Sequence, residues 1–425
     1  MTAPNPTPPA PKRPQRVIFL NRFYLPDETA TAQLLADLAE GLAARGHPVT
    51  VIASQPKSKP AARELRRGVR IIRVGSTRSA SAGVAAKAVD FLTFYLSALL
   101  ALSWEVRRDD AVVALTDPPL IGVGAAAIAG LRGARLFHWV QDIYPEVAVT
   151  LSGFRALNLL RGWRNGAWQR ARGCVTLGTD MADVLNEGGV HPAALRVLPN
   201  WAPAGLRPPP PAEVQRVRAA WGFADEFIIG YSGNLGRVHN LDAIVALAES
   251  LRGDPGIWFV LVGGGPQRAR IEVEAKRRGL TQIRFLPPAP RAELAASLAA
   301  PDLQLVTLRA GCERCVFPSK LYGVAAIGRP ILFLGPPQSE IAQLVNTYGM
   351  GGAFGPNDLA AAAAAIRAYQ ASPERLRAAA AGAERFAAAT PGAGAAIAAW
   401  EEWLFAGAAI DLAAPAREAA PPASS

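Results

Sequence analysis

Short apolar runs rich in β-branched residues alternate along this chain with longer segments whose apolar residues recur every three or four positions. This alternation is typical of α/β proteins, in which helices connect parallel strands. The first repeat consists of a strand at 16–21, a helix with leucines on one face, Gly46 at its end, and a strand at 49–54. Further strands are predicted at 69–74, 111–116, 135–140, 174–177 and 195–198.

The proline-rich segment 203–211 interrupts this pattern, which then starts again after a helix near 212–221. Five more strands are predicted, at 227–232, 258–262, 283–286, 303–308 and 330–334. We therefore predict two doubly wound, Rossmann-like parallel-sheet domains, 16–202 and 212–392, on either side of the linker 203–211. Ligands bind at the carboxyl ends of the strands in such domains, so we expect a site in the cleft between the two sheets.

The ends of the chain and its composition add a few limits. A last helix, 393–405, contains Trp400 and Trp403 and could pack on either domain, whereas the Pro- and Ala-rich segments 1–15 and 406–425 are expected to be disordered tails. The first residues lack the apolar core of a signal peptide. Only three cysteines are present among 425 residues, which indicates a reducing, cytoplasmic compartment rather than a disulfide framework.

One apolar segment, 91–104, has two interpretations. At about 14 residues it is too short to span a bilayer, so it is either a buried helix or a helix whose apolar face enters a membrane surface, with Arg107 and Arg108 meeting lipid phosphates. The net charge of +11 fits an anionic membrane or a phosphorylated substrate. Because no nucleic-acid-binding motif is recognisable, we expect no nucleic-acid partner.

Phosphate-binding features cluster in the second half. The segment GYSGNLGRVHNLD, 230–242, places Gly233 and Gly236 between a strand and a helix, where the backbone can approach a phosphate; Arg237 could add a charge-assisted contact. A tight turn without a ligand is the alternative. A second glycine turn, VGGGP at 262–266, leaves room for a flat group against Gly264, although it is not the dinucleotide fingerprint.

The segment PSKLYG, 318–323, is the strongest single feature. Pro318 suits a first helical turn, so Ser319 and Lys320 are expected at a helix N-terminus on the carboxyl edge of the sheet, where the lysine can meet a diphosphate. Cys312 and Cys315 precede it in a C-x-x-C spacing. Two thiols without a nearby histidine are too few for zinc, so we expect no metal and interpret both cysteines as spectators, with redox sensitivity as the alternative.

In the first half, polar residues crowd into FHWVQDIYPE, 137–146, at a strand end predicted to face the cleft. His138 and Asp142 are the candidates there, against the alternative that His138 is a core histidine whose hydrogen bonds are satisfied. Two neighbouring loops, 23–32 and 115–120, contain hydroxyls and carboxylates that suit recognition of a polyol. We expect an acceptor to be bound there by Asp27, Thr29 and Asp117.

Six segments in this order resemble the retaining glycosyltransferases of family 4, which have the GT-B fold, and in particular the WbuB/WcaI-like branch of bacterial surface-polysaccharide enzymes. They are 46–53, 139–146, 198–201, 230–236, 259–266 and 318–332, and the resemblance covers 16–405. It implies that the second domain binds a nucleotide-diphosphate sugar and the first domain a lipid-linked or saccharide acceptor, without a metal or other cofactor. It places the protein in the cytoplasm, at or near the inner membrane face.

The resemblance also implies residue roles. Lys320 would contact the donor diphosphate, and His138 and Asp142 would approach the sugar from across the cleft. The sugar would keep its anomeric configuration because the leaving diphosphate helps to deprotonate the acceptor, while the protein contributes positioning and electrostatic stabilisation. The other donor-binding residues implied are Gly233, Asn234, Arg237, Gly264, Ser319 and, through their backbone, Arg284, Phe285 and Leu286.

Two departures from the family pattern stand out. Relatives have an E-x7-E glutamate pair, whose second member holds the ribose, where this chain has Cys315 and Gly323. Many also have a lysine where this chain has Asn240. We expect Glu340 to substitute near the donor. A nucleotide-sugar 2-epimerase and a non-catalytic nucleotide-sugar-binding protein of the same fold remain the alternatives.

Overall fold

The computed structural model describes residues 15–27, 29–56, 58, 61–77 and 84–405, with side chains from 88 onward in the last range. The predicted pair of parallel-sheet domains is confirmed. The predicted tails lie almost entirely outside the described residues. The strands described in the first domain are β1 (Val17–Leu20), β2 (Val49–Ser54), β3 (Arg63–Arg66), β4 (Val69–Val74), β5 (Ala111–Ala114), β6 (Arg135–Trp139), β7 (Gly173–Thr176) and β8 (Leu195–Val197).

These eight strands form one sheet in the order β3-β4-β2-β1-β5-β6-β7-β8. All neighbours are parallel except β3 and β4. Burial on both faces explains why the central strands are continuous apolar runs, such as the fully buried VIFL of β1. The helices of this domain are α1 (Ala30–Ala44), α2 (Val84–Glu105), α3 (Ile121–Arg132), α4 (Glu146–Ser152), α5 (Arg161–Gln169) and α6 (Thr179–Glu187), with 3₁₀ turns at Arg155–Leu160 and Pro192–Ala194.

The second domain begins with α7 (Pro211–Ala220), directly after the proline-rich segment. Its strands are β9 (Phe227–Ser232), β10 (Ile257–Val262), β11 (Ile283–Leu286), β12 (Leu303–Thr307), β13 (Ile331–Leu334) and β14 (Gly351–Phe354), arranged in the order β11-β10-β9-β12-β13-β14. The helices are α8 (Leu241–Ser250), α9 (Arg268–Arg277), α10 (Leu294–Ala299), α11 (Lys320–Ala326), α12 (Glu340–Tyr348), α13 (Leu359–Ala371) and α14 (Pro373–Ala389), with a 3₁₀ turn at Arg291–Glu293.

The last described helix, α15 (Ala393–Phe405), packs on the first domain and so decides between the two expectations for it. Trp400 is fully buried in the cluster formed by β1, β2 and α1, with its ring centroid 5.0 Å from that of Trp139. Glu401 accepts a hydrogen bond from His47 at 2.8 Å. The chain therefore crosses from the second domain back to the first.

The two domains share an apolar contact. One cluster of buried side chains contains Val140, Ile143 and Val147 from the first domain together with Leu308 and Phe317 from the second. The carboxyl ends of the two sheets therefore meet across packed side chains, and the cleft predicted between them is bounded by this contact.

The structure corrects the expected length of the apolar segment 91–104. It belongs to α2, whose window Ala88–Glu105 is 18 residues long; of the described residues, this is the one helix that is long and apolar enough to cross a membrane by length and composition. Only about 22% of that window is buried. One face of α2 packs on the sheet through Phe94, Ala98 and Leu102, so the buried-helix interpretation holds for that face alone.

Candidate functional site

Two glycine-rich turns meet at the carboxyl edge of the second sheet. The amide of Gly233, after β9, donates to the Val262 carbonyl at 2.9 Å, and the amide of Leu235 donates to the Gly264 carbonyl at 2.7 Å. Gly263 has φ of +148°, and a Cβ there would collide with the Gly233 carbonyl. Gly264, in contrast, is open, with Pro288 3.9 Å from the place of its Cβ. The glycines thus allow two turns to pack backbone against backbone.

Lys320 is the first residue of α11 and its amine lies over this turn. Nζ is 3.0 Å from Nε2 of His239, 3.4 Å from the Asn234 carbonyl oxygen and 4.7 Å from the ring centroid of Tyr231. The side chain runs past Gly233, where a Cβ would be 2.9 Å from its Cε. Burial lowers the pKa of Lys320 to about 7. The structure contains a partly desolvated cation beside the backbone of a glycine turn, which is an arrangement suited to an anionic ligand.

His239 is a member of this site that the sequence reasoning missed. Its Nδ1 is 2.8 Å from the carbonyl oxygen of Thr307 and therefore donates, which leaves Nε2 as the acceptor for the Lys320 amine. Burial, and then the charge of Lys320, lower the pKa of His239 to about 3, so the ring is neutral at physiological pH. His239 lies in the glycine-rich segment 230–242, two residues after Arg237, and this position could have indicated that it belongs to the site.

Other predicted donor-side residues lie around the same edge. Arg237 is exposed, and its carbonyl accepts from Nε of Arg309 at 3.2 Å. Ser319 precedes α11 and its hydroxyl makes no capping bond. The Arg284 guanidinium packs on Phe223 and Trp258, 4.5 and 5.4 Å from the ring centroids. The Arg284 side chain is thus engaged within its own domain, and the backbone contact predicted for Arg284–Leu286 stays a prediction.

Asp142 lies in the first domain next to the segment that leads into α11. Its amide donates to the Thr116 hydroxyl at 3.2 Å, and burial, followed by the charge of Asp117, raises the pKa of the carboxyl to about 7. The backbone of Asp142 forms a β-bridge with Val316, four residues before Lys320. The structure thus places Asp142 at the interdomain contact, with Asp117 close enough for its charge to act on the Asp142 carboxyl.

His138 does not face the cleft, contrary to our expectation. Alternation along β6 places Phe137 and Trp139 on one face of the sheet and His138 on the other, where it is 4% exposed. A Cβ on Gly122 in α3 would be 2.7 Å from its Nδ1, so the ring is covered by α3. Burial lowers its pKa to about 4. The position of His138 fits the alternative of a core histidine better than contact with a donor sugar, but its buried Nε2 has no hydrogen-bond partner among the described residues.

Glu340, the predicted substitute near the donor, contacts Asp180 of the first domain. Its carboxylate accepts from the amide of Asp180 at 3.3 Å, while its own amide donates to the Asp180 carboxylate at 2.8 Å. Each acidic side chain thus caps the helix that carries the other, across the domain boundary.

Gly323, the position where the family has the second glutamate of its pair, has Leu206 and Leu298 as its nearest side-chain neighbours, at 3.7 and 3.9 Å from a built Cβ. The apolar surroundings of Gly323 offer no replacement for the absent glutamate.

Two predicted acceptor residues have local backbone roles. The Thr29 hydroxyl accepts from the amide of Ala32 at 3.2 Å and so caps α1. Asp27 lies in a turn closed by its amide on the Tyr24 carbonyl at 3.1 Å. Neither contact involves the second domain. Asp117 is the acceptor-side prediction that the structure places beside another candidate, Asp142.

Cys312 and Cys315 lie in the second domain, in the segment between β12 and α11 that contacts the first domain. Both are buried free thiols, and burial raises their pKa values to about 11 and about 12. Such thiols are poor nucleophiles and poor metal ligands at neutral pH. The Cys315 carbonyl accepts from the amide of Ile143 at 2.8 Å. Within the described part of the chain, no group of three or more metal-ligating side chains is found.

Comparison with known proteins identifies the family. The model for the "Glycosyl transferase 4-like domain" matches residues 29–201, and the model for "Glycosyl transferases group 1" matches residues 214–386. The chain belongs to the family 4 glycosyltransferases. The first match covers the first domain from residue 29 onward, which excludes β1, and the second covers all strands of the second sheet; the proline-rich segment lies between the two matches.

Curated relatives and solved structures agree with this assignment. The chain is 26% identical to the putative colanic acid biosynthesis glycosyl transferase WcaI of Escherichia coli K12, over 83% of this chain and 91% of WcaI. It is 28% identical to the probable glycosyltransferase WbjE of Pseudomonas aeruginosa, over 62% of this chain and 67% of WbjE. HepE of Anabaena, solved with UDP and glucose, superposes with a TM-score of 0.70 at 15% identity, over 92% of this chain and all of HepE. Sucrose-phosphate synthase of Thermosynechococcus elongatus superposes with a TM-score of 0.76 at 17% identity, over 91% of this chain and 98% of the synthase. The fold is GT-B.

Proposed function

We propose that this glycosyltransferase moves a sugar, with retention of configuration, from a nucleotide-diphosphate sugar to a lipid-linked or saccharide acceptor in the synthesis of a cell-surface polysaccharide. The observation that carries the proposal is the Lys320 amine, held over the Gly233 turn at the carboxyl edge of the second sheet. WcaI, named for colanic acid biosynthesis, supports the polysaccharide role, and the UDP and glucose bound to HepE support the donor class.

In this proposal Lys320 stabilises the negative charge that develops on the departing diphosphate. An ammonium ion in a partly desolvated position interacts more strongly with such charge than it would in water. Asn234 and Gly233 bring backbone to the same phosphates, and the neutral imidazole of His239 fixes the position of Nζ by accepting one of its hydrogens. The first domain contributes Asp142 and Asp117 on the acceptor side.

The decisive experiment is incubation of the purified protein with labelled nucleotide sugars and a lipid extract. Label that enters lipid or saccharide supports transfer, and the anomeric configuration of the product tests retention. An epimerised nucleotide sugar would instead favour the 2-epimerase. Binding without turnover would favour a non-catalytic protein, which the apolar surroundings of Gly323 keep as a second candidate.

The Lys320→Ala variant tests the assigned role. By analogy with the loss of one oxyanion donor, turnover should fall by roughly 10²–10³-fold. Lys276→Ala is the matched control, because Lys276 lies exposed on α9. Equal turnover in the two variants would remove Lys320 from the mechanism.

A further inference from the structure

Helix α2 has an unusual outer face. Leu92, Leu96, Leu100 and Trp104 follow one another at intervals of four residues and are all exposed, Leu96 to 65% and Trp104 to 80%. Val89 continues the row by one turn. At 1.5 Å per residue the row is about 22 Å long. Single exposed leucines are ordinary, but a continuous row along a helix marks a surface that binds another apolar phase.

The neighbouring helices extend this face. Helix α3 packs tightly on α2, since Leu99 occupies the space where a Cβ on Gly124 would lie, and it exposes Leu131 to 87%. Helix α5 packs on α3 in turn. The 3₁₀ turn Arg155–Leu160 directly precedes α5. We call the exposed large hydrophobics of these helices, of this turn and of Phe154 before it the apolar face: Val89, Leu92, Leu96, Leu100, Trp104, Leu131, Phe154, Leu159 and Trp163. In the described part of the chain, only three other large hydrophobics are exposed, and they are scattered over β3, β8 and α9.

Basic residues lie at the edge of the apolar face. Arg107 and Arg108 follow α2 and are exposed. Arg132 ends α3, and its guanidinium donates to the Ser103 carbonyl at 2.8 Å, which ties the ends of the two helices together. The acidic side chain Glu105, at the end of α2, is paired with Arg70. The exposed Asp109 adds one negative charge beside Arg107, Arg108 and Arg132, so this edge of the apolar face keeps a net positive charge.

We propose that the apolar face docks on the surface of a lipid bilayer that contains anionic lipids. Leucines and tryptophans on one side with arginines at the rim are the composition of an interfacial helix, where the rings and chains enter the headgroup boundary and the guanidinium groups meet phosphates. The helix lies on the bilayer and does not cross it, because its other side is part of the core through Phe94 and Leu102 and buries Asp90.

This inference rests on the proposed function only in its purpose: a lipid-linked acceptor would be found at such a surface. The docking itself requires no sugar transfer. It can therefore fail while transfer to a water-soluble acceptor succeeds, and the two proposals can be distinguished.

The test is sedimentation of the full-length protein with vesicles of phosphatidylethanolamine and phosphatidylglycerol, compared with vesicles of phosphatidylcholine alone. We expect the protein to bind the anionic vesicles at least tenfold more tightly. The double variant Leu96→Glu, Leu100→Glu should lose at least tenfold in that affinity, and Arg107→Glu, Arg108→Glu should lose the preference for anionic lipid. Val273→Glu is the matched control, since Val273 is 66% exposed on α9 of the other domain.

Three outcomes would overturn the proposal. The wild-type protein could remain in the supernatant with both vesicle types, or the double leucine variant could bind as tightly as the control. Light scattering could also show a dimer that Leu96→Glu, Leu100→Glu converts to a monomer without any lipid binding, in which case the apolar face is a contact between copies of the chain. Retained binding of a nucleotide sugar by the variant shows that it is folded.

Discussion

The affinity of the protein for a nucleotide sugar should fall as the pH rises through 7. Burial lowers the pKa of Lys320 to about 7, so the amine carries its charge below that pH and loses it above. A lysine with an ordinary pKa near 10.4 would stay charged throughout this range. The diphosphate of a nucleotide sugar is fully ionised from pH 6 to 8, so a change in affinity there reports on the protein.

The magnitude follows from the fraction of charged amine. With a pKa of about 7, roughly 90% of the lysine is protonated at pH 6 and roughly 10% at pH 8, so an interaction that requires the ammonium ion weakens about tenfold between these values. Binding must then be accompanied by proton uptake, about half a proton at pH 7 and close to one at pH 8.

The His239→Leu variant should shift this pH dependence, because it removes the nitrogen that accepts a hydrogen from the Lys320 ammonium group at 3.0 Å. Because that bond favours the charged form, its loss of about 1 kcal/mol should move the midpoint roughly 0.7 pH units lower.

Isothermal titration calorimetry in buffers with different ionisation heats measures both quantities. The ligand is whichever of UDP-, GDP- or ADP-glucose binds best, and Lys276→Ala serves as the control with unchanged behaviour. A constant affinity from pH 6 to 8, without proton uptake at pH 8, would refute the reasoning that Lys320 meets the diphosphate from a desolvated position.

Three further predictions concern stability. Gly263→Ala should destabilise the protein by about 1–3 kcal/mol in urea unfolding, because its Cβ would meet backbone, whereas Gly264→Ala should be nearly neutral; equal effects would contradict the packing of the two turns. The pKa of buried His138 is about 4, below the 6.5 of an unfolded histidine, so the unfolded state binds more protons between these values. The wild-type protein should therefore lose about 3 kcal/mol more than His138→Gln between pH 7 and 4, and parallel pH profiles would show that the ring is accessible when folded. Asp180→Ala and Glu340→Ala should be coupled by about 1 kcal/mol in a double-mutant cycle, and additive losses would show that the reciprocal caps do not form.

Most of the strands that the sequence predicted are buried on both faces, because continuous apolar runs are visible without knowledge of their neighbours. The edge strands β8 and β11 are only partly buried, but they were still predicted from short, mainly apolar runs. The two strands that were missed are edge strands without any such run: β3 reads RELR and β14 reads GGAF. Both are defined by pairing with a neighbour, β3 with β4 and β14 with β13. Pairing of this kind depends on residues distant in sequence, so local pattern carries little information about it.

The parts of the candidate site that could be predicted are those recognisable within a single segment of the sequence. Lys320 and Gly233 were found because a helix start and a glycine turn are local features. The contact of Glu340 with Asp180, 160 residues away, could not be seen in any local pattern, and its predicted place near the donor stays a prediction. His138 was misjudged, since the alternation of apolar neighbours in β6 already separates it from Phe137 and Trp139 and could have placed it beneath the helices.

One segment of the second domain contacts the first domain and leads directly to Lys320. The segment between β12 and α11 begins with the amide of Arg309 on the Val238 carbonyl at 2.8 Å, continues with Val316 paired to Asp142, and ends at Lys320. A rotation of one domain against the other would therefore pull on the residues directly before the lysine. Because an amine must lie within hydrogen-bonding distance of the diphosphate to stabilise its charge, a small displacement of α11 has a large effect. The buried Cys312 and Cys315 lie between these points, in the apolar cluster that the two domains share, so their packing helps to hold this segment against the first domain.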